Sequence, residues 1–298
     1  MTINEAHKIC REYYQLPNPG EDDDFMLTEA LGFLIRETHE AGYMCELGGF
    51  YYEKRQFDLA LKYYEMASEC GDISATVGLG YIWYYGRTGK PDYKKAFYYY
   101  DKARQMGDIV ASYKVADMYR NGYYVEKDPD KYRSIIEELY QKVENALNLG
   151  APLPEIFTRL AAIRAEEGDS GEALRLYDAA RIFLAQRIRW NPFFGNLTIM
   201  KGLIRDIYEL RPFDPEDIRF YDLYYILRKP ALVRFTYYNE EAEPETHEVE
   251  AVQEGGDIAI RFDDHWYHNV DDFFGKAELE GELLTRLYEE LFDFELMQ

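Results

Sequence analysis

Apolar residues over the first 190 positions recur at steps of three and four, the spacing that places side chains on one face of an α-helix. The pattern predicts pairs of short helices joined by turns. The turn signals are clusters of proline and glycine, as at 17–20 and 150–152. Two further helices are predicted at 197–210 and 215–228, on either side of a proline-containing break.

From residue 232 onward the apolar period becomes two, which is typical of β-strands with one buried face. The pattern predicts strands at 232–238, 246–253 and 257–262, with a short fourth strand over 265–270. Residues 277–294 return to helical spacing, since four leucines follow one another at steps of four. We therefore predict a small antiparallel sheet covered by one C-terminal helix.

A small–large–small triplet recurs in the helical part of the chain. Ala96, Tyr100 and Ala103 form one copy, and the same types stand 36 residues earlier. Two further intact copies are Ala60, Tyr64, Ala67 and Ala173, Tyr177, Ala180. A degenerate copy is Tyr132, Ile136, Leu139. Small residues let two helices approach closely, and the tyrosine fills the space between layers. A repeat of this length predicts an α-solenoid of stacked helical hairpins.

The best-defined unit resembles a known family. It reads Ala75-x3-Leu79-Gly80-x2-Trp83-x2-Gly86, continues through 96–103 and ends at Gly107. This motif is similar to the Sel1-like repeat, a relative of the tetratricopeptide repeat, with weaker copies at 41–71 and 111–139. The resemblance covers residues 25–185 and implies protein-binding or adaptor roles without implying an activity.

The fold class predicted is therefore mainly α, an α-solenoid of Sel1-like or tetratricopeptide-like hairpins followed by a small α+β domain. The predicted domains are the solenoid at 1–190, a helical connector at 191–230 and an acidic α+β domain at 231–298. The last domain holds 19 acidic and four basic residues, a net charge of −15 out of −22 for the chain. The connector is the least acidic segment, so we expect it to dock against the acidic domain.

The charge and hydropathy of the chain exclude some classes of partner and of cellular location. An acidic field repels nucleic-acid phosphates and anionic lipid, so we expect no nucleic-acid or membrane partner. No apolar run is long enough to span a bilayer, and the N-terminus lacks a secretion signal, so we expect a cytoplasmic protein. Three cysteines, Cys10, Cys45 and Cys70, indicate small buried apolar residues or free thiols rather than a disulfide framework.

Candidate chemistry is sparse. His265 and His268, beside Asp263 and Asp264, are the only cluster with metal-ligand types, but positions three apart on a strand face opposite ways. A shared metal would need a turn there, and we predict neither a metal nor a cofactor. The loop 86–91 contains glycines and a lysine but lacks phosphate-loop spacing. No nucleophile motif is present, and we predict no enzyme activity.

The 29 tyrosines are the more informative feature. By the resemblance, the first helix of each hairpin faces the groove of the solenoid, and five tyrosines fall there: Tyr52, Tyr81, Tyr84, Tyr85 and Tyr113. Tyrosine offers a large contact area and a hydroxyl, which suits an interface. The alternative is that these rings only pack between neighbouring units or against the C-terminal domain.

We therefore predict an adaptor or scaffold that holds a protein or peptide in the solenoid groove. The competing hypothesis is a C-terminal domain that is catalytic or binds a small molecule, with the repeats as a docking handle. A third hypothesis, an acidic mimic of nucleic acid, depends on the charge of the C-terminal domain alone.

Overall fold

The computed structural model describes residues 1–16, 19–146, 153–239 and 241–297. The chain divides into two compact units, Met1–Gln141 and Lys142–Gln298, and each is described by itself. The division into three domains at 190 and 230 stays a prediction. The turn signal at 150–152 and half of the one at 17–20 lie outside the described residues.

The first unit consists of helices arranged as successive hairpins. Their bounds are α1 (Ile3–Tyr13), α2 (Glu21–Thr38), α3 (Ala41–Glu53), α4 (Phe57–Glu69), α5 (Ile73–Tyr85), α6 (Tyr93–Gln105), α7 (Ile109–Asn121) and α8 (Pro129–Ala146), which runs past the boundary between the units. The hairpins α3–α4 and α5–α6, followed by α7, confirm the predicted solenoid.

The helix ends follow from residues that recur with the repeat. Asp72 and Asp108 precede α5 and α7, and each carboxylate accepts a backbone N–H three residues further on, at 2.7 Å and 2.6 Å. Gly86 and Gly122 end the same helices with φ of +59° and +71°, a left-handed conformation that glycine adopts without a Cβ clash. The loop at 86–91 is thus a connection between two helices of a hairpin.

The small–large–small triplets lie in the core of the helical layers. All six alanines of the three intact copies have no exposed surface, and Tyr100 is fully buried. Tyr64 and Tyr100 each pack against glycines of first helices. A Cβ added at Gly48 or Gly78 would lie 2.7 Å from the Tyr64 ring, and one at Gly80 would lie 2.3 Å from the Tyr100 ring. Glycine at these positions is therefore required by the rings.

The first helices of successive hairpins lie side by side. Direct contacts join α3 to α5 and α5 to α7, while α4 packs between α3 and α5, and α6 packs between α5 and α7. The helices α3, α5 and α7 therefore present one continuous surface, which we call the first-helix face.

The second unit begins with the hairpin of α9 (Pro154–Glu166) and α10 (Ser170–Trp190), which carries the last triplet, and continues with α11 (Phe194–Leu210). The prediction of a helix at 215–228 is wrong over the first half of that range. Only a 3₁₀ turn at Phe220–Asp222 and the short α12 (Leu223–Ile226) form. Arg219 is extended, because its backbone N–H is held by the Asp222 carboxylate at 2.9 Å.

The predicted antiparallel sheet is confirmed. Five strands pair in the order β4-β3-β2-β1-β7, and their bounds are β1 (Ala231–Tyr238), β2 (Pro244–Glu254), β3 (Asp257–Phe262), β4 (His265–Tyr267) and β7 (Leu291–Met297). Val233, Phe235 and Tyr237 are buried on one face of β1, and the residues between them are more exposed. This alternation is the period of two seen in the sequence.

The single long helix predicted at 277–294 is wrong. The segment after α13 (Val270–Lys276) forms the two-stranded β5 (Glu278–Leu279) and β6 (Glu282–Leu283), then the short α14 (Leu284–Leu287) and β7. Gly281, at φ +82°, closes the turn between β5 and β6. Leu291 belongs to a strand paired with β1, so the leucines at steps of four share no helix face. The class, helical hairpins followed by a small sheet with short helices, is confirmed.

The predicted docking of the connector on the acidic segment is present within the second unit. Lys201 lies 2.7 Å from Asp271, and Arg189 pairs with Glu289. These pairs are at least one-third exposed, and exposed ion pairs contribute little stability. The buried contact is aromatic, since the Tyr224 ring stacks on Phe274 at 3.8 Å between centroids. Apolar packing therefore dominates over charge at this contact.

None of the described helices combines the length and the apolar character that crossing a lipid bilayer requires.

Candidate functional site

The five predicted tyrosines lie close together on the first-helix face. Tyr52 comes from α3, three others come from α5, and Tyr113 comes from α7. The Tyr81 and Tyr85 rings stack at 6.1 Å between centroids, and the Tyr84 and Tyr85 rings meet edge to face at 5.0 Å. We call Tyr52, Tyr81, Tyr84, Tyr85 and Tyr113 the tyrosine cluster.

The members of the cluster differ in how much surface they offer. Tyr85 is 45% exposed, whereas Tyr113 is 2% exposed. Tyr52, Tyr81 and Tyr84 are half-buried. The Tyr113 hydroxyl lies 3.4 Å from that of Tyr81, so the buried Tyr113 ring supports the Tyr81 ring from beneath the surface. The cluster thus presents one well-exposed ring, and three half-buried rings lie around it.

A lysine that the sequence analysis did not select lies inside the cluster. Lys114 is 6% exposed, and its Nζ donates to the Tyr85 hydroxyl at 3.0 Å. The same Nζ lies 4.9 Å, 5.2 Å, 5.5 Å and 5.7 Å from the ring centroids of Tyr81, Tyr85, Tyr84 and Tyr113. Cation–π attraction therefore offsets part of the cost of burying this charge.

The position of Lys114 follows from the repeat. It stands 36 residues after Gly78, the glycine that packs on the core ring of the preceding layer. A long side chain in place of that glycine begins in the core and ends among the tyrosines of the first-helix face. The signal was present in the sequence, because aligning the two repeats shows a lysine at a glycine position.

Arg87 is a second cation that the sequence analysis did not assign to the site. Its Nε donates to the Tyr52 hydroxyl at 3.1 Å. Its guanidinium carbon lies 5.0 Å from the Tyr85 ring, 5.4 Å from Phe57 and 5.8 Å from Tyr52. Arg87 therefore joins the cluster to the loop after α3, and the Tyr85 ring lies within reach of both cations.

An open depression of about 540 Å³ lies beside Arg87. Its lining comes from the turn between α3 and α4 and from the loop after α5, and consists of residues 55–59 with Arg87 and Thr88. The cluster is therefore continuous with a concave area rich in polar groups.

Burial raises the pKa of two phenols in the cluster. It raises the pKa of Tyr84, and the nearby charge of Asp117 raises it further. Burial also raises the pKa of Tyr52, against the opposing effect of the Arg87 guanidinium. These two hydroxyls are therefore protonated at neutral pH and can donate hydrogen bonds.

The histidine and cysteine candidates do not form a site. Within the described ranges no group of three or more His, Cys, Asp or Glu residues is arranged to hold a metal ion. Asp263, offered as a ligand with His265 and His268, instead bonds His247 Nδ1 at 2.8 Å. Cys10 and Cys45 are free thiols whose pKa burial raises to about 11 and about 12, and Cys70 is free and exposed.

Comparison with known proteins identifies the repeats. Residues 39–72, 73–108 and 109–131 match the family model of the Sel1 repeat. The predicted resemblance is therefore confirmed over 39–131, a narrower range than the 25–185 expected. A search of curated protein sequences found no match.

Two solved structures are similar to the chain. One is a Sel1 repeat protein from Oxalobacter formigenes, with 22% identity and a TM-score of 0.48, covering 72% of this chain and 88% of that one. The other is a protective antigen present in uropathogenic Escherichia coli strains, described as displaying an SLR fold. Its identity is 18% and its TM-score 0.45, covering 72% of this chain and 50% of that one.

Proposed function

Because residues 39–131 consist of three Sel1 repeats, we propose that this protein is a non-enzymatic adaptor that binds a polypeptide segment on its first-helix face. Repeats of this kind are generally protein-interaction modules. The proposed binding surface is the tyrosine cluster with Lys114 and Arg87.

The observation that carries the proposal is the continuity of this cluster across three repeats. Contacts run from Tyr52 through Arg87 to Tyr85, and from Tyr85 through Lys114 to Tyr113. A polypeptide lying along the face would contact each repeat in turn, as solenoid ligands do.

The chemistry of the cluster suits a polypeptide. Tyrosine rings held by their neighbours give contact area with little loss of side-chain entropy on binding. Their protonated hydroxyls can donate to backbone carbonyls of an extended segment. The two cations are held among rings, an arrangement that supports recognition rather than the activation of a nucleophile.

The experiment is capture of partners from cell lysate by the purified full chain and by two single-tyrosine variants. Tyr85→Ala removes the most exposed ring of the cluster. Tyr98→Ala is the matched control, since Tyr98 lies on the second helix α6 and is 62% exposed. Single truncation is preferable to removing the half-buried Tyr81 and Tyr84 as well, because those rings contact the core ring of Tyr100.

We expect proteins captured by the wild type and by the Tyr98 variant to be lost or reduced about tenfold with Tyr85→Ala, the effect of an interface anchor. Circular dichroism melting curves should show that both variants stay folded. Equal loss with both variants, or equal capture by Tyr85→Ala and the wild type, would refute the assignment of this face.

A further inference from the structure

The sheet of the second unit has an unpaired edge at β7. The strand pairs only with β1, and on its other side no described strand follows. In a strand, backbone N–H and C=O groups point alternately to the two sides, so residues on either side of the irregularity at Asp293 in turn direct them away from the sheet. In the described part of the chain these outward groups bond no other backbone. An edge of this kind is a template for pairing with an additional strand.

The side chains along this edge include apolar ones. Phe292 is 45% exposed and Leu296 is 36% exposed. Phe292 lies edge to face with the exposed ring of Tyr238, at 6.0 Å between centroids. An added strand would therefore bury apolar surface in addition to forming backbone hydrogen bonds.

An open depression of about 810 Å³ lies along the edge. Arg234, Thr236 and Thr246 line it from β1 and β2, Glu216 lines it from the loop before α12, and residues 293–297 line it from β7. Side chains of a strand added to β7 would extend into this space on the face shared with Glu295, which lies opposite Arg234 in the sheet.

Charge determines which segment fits. The carboxylates of Glu216, Asp293 and Glu295 are exposed, and among the described residues none of them forms an ion pair. Arg234 bonds the Glu248 carboxylate at 2.7 Å, so its charge is already compensated. A second copy of this chain would bring a like-charged edge against the first, which costs free energy. A segment with lysine or arginine is complementary.

We propose that β7 binds an extended, basic polypeptide segment as an additional β-strand, with its lysine or arginine side chains directed toward Glu216, Asp293 and Glu295. This surface is separate from the first-helix face, and the proposal does not depend on the function proposed there.

A strand edge can also carry acidic residues and a bulge simply to prevent aggregation. β7 does contain an irregularity, since the register with β1 shifts between Arg234 and Thr236 and Asp293 has a φ of +51°. A purely protective edge predicts no binding of any peptide, whereas the proposal predicts selective binding. Measuring peptide binding therefore distinguishes a protective edge from a binding edge.

The experiment is fluorescence anisotropy with the full chain at about 50 mM salt, where surface charges are weakly screened. The probe is a labelled eight-residue peptide that alternates lysine with threonine. The comparison peptides replace lysine with glutamate, or threonine with proline. The lysine–proline peptide keeps the charge but loses half of its backbone donors.

We expect the lysine–threonine peptide to bind, the glutamate peptide not to bind, and the lysine–proline peptide to bind about tenfold more weakly or worse. The double variant Glu216→Gln, Glu295→Gln should weaken binding about fivefold. The control, Glu254→Gln with Asp257→Asn, removes two charges from the β2–β3 turn and should leave binding unchanged.

Four results would overturn the proposal. They are absence of binding, equal binding of the lysine–threonine and lysine–proline peptides, equal weakening by the two double variants, and self-association of the chain through β7. The second and third would indicate non-specific attraction of cations. Self-association would be detected by sedimentation, as a dimer of the wild type that the Leu296→Lys variant does not form. It would show that the β7 edge binds a second copy of the chain.

Discussion

At the scale of single residues, Lys114 occupies the position that a glycine holds in the preceding repeat. In the preceding layer Gly78 leaves room for the Tyr64 ring, and 36 residues later a lysine follows the same backbone path. Its ammonium group reaches Tyr85 and three further rings. Burying a charge is costly unless it is paired or hydrogen-bonded, and the hydrogen bond to Tyr85 with the surrounding rings offsets part of that cost.

Glu155 is a buried residue whose charge is compensated, and it provides a pH-dependent prediction. It is 8% exposed, and Arg187 donates to both of its carboxylate oxygens, at 2.7 Å and 3.2 Å. Burial raises the pKa of Glu155, but the hydrogen bonds and charge of Arg187 outweigh it and leave the pKa below its usual 4.5. We expect Glu155→Gln to lower the free energy of unfolding by about 1–3 kcal/mol at pH 7.

The difference in free energy of unfolding between Glu155→Gln and the wild type should become smaller at acidic pH. A carboxyl with a depressed folded pKa contributes stability that is fully present above its unfolded pKa and is lost as pH falls through its folded pKa. Urea denaturation at pH 7 and pH 4 measures both differences. A difference of equal size at both pH values, or no difference at pH 7, would contradict the role given to this ion pair.

At the scale of the helical hairpin, the contact between glycine and a core tyrosine sets how closely successive helices approach. Gly48 and Gly49 are neighbours in α3, yet an added Cβ would lie 2.7 Å from the Tyr64 ring at Gly48 and 3.8 Å from its hydroxyl at Gly49. Both substitutions to alanine gain the same helix propensity, which cancels in the comparison.

We therefore predict that Gly48→Ala is less stable than Gly49→Ala by about 1–3 kcal/mol, the usual cost of overpacking a core. Thermal and urea denaturation of the two variants give the comparison directly. If the two unfold with the same free energy, the ring does not fix the spacing of the hairpin.

The elements that could be predicted from the sequence are those specified by local signals. The triplets act within a few residues of one helix, and the hairpins they predict are present from α3 to α7. Strand alternation over β1, β2 and β3 is equally local. The prediction that Tyr52, Tyr81, Tyr84, Tyr85 and Tyr113 share one face came instead from the resemblance to the Sel1-like repeat.

The segment that could not be predicted depends on distant pairing. Leucines at steps of four satisfy the helical period over 277–294, but β1 would remain unpaired on one side without β7. Hydrogen bonding to β1, fifty or more residues earlier in the chain, outweighs the local preference. Arg87 was missed for a similar reason, because it joins the cluster only through tertiary contacts.

At the scale of the whole molecule, the chain has two surfaces of different chemistry. The first-helix face offers tyrosine rings and two cations, and the β7 edge offers backbone groups flanked by carboxylates. Both are suited to polypeptide ligands, the first through side chains and the second through the main chain. We propose that an adaptor uses both surfaces, and the net charge of −15 on residues 231–298 favours basic segments at the second.

The measurement that tests the central claim most directly is site-specific photocrosslinking from the first-helix face. A benzophenone amino acid replaces Tyr85 in one variant and Tyr98 in another, and each is irradiated in cell lysate. We predict that position 85 traps a defined polypeptide, that competition by excess wild-type protein removes the adduct, and that position 98 traps none. Identical adducts at both positions, or none at position 85 while the wild-type chain still captures its partner, would contradict the account.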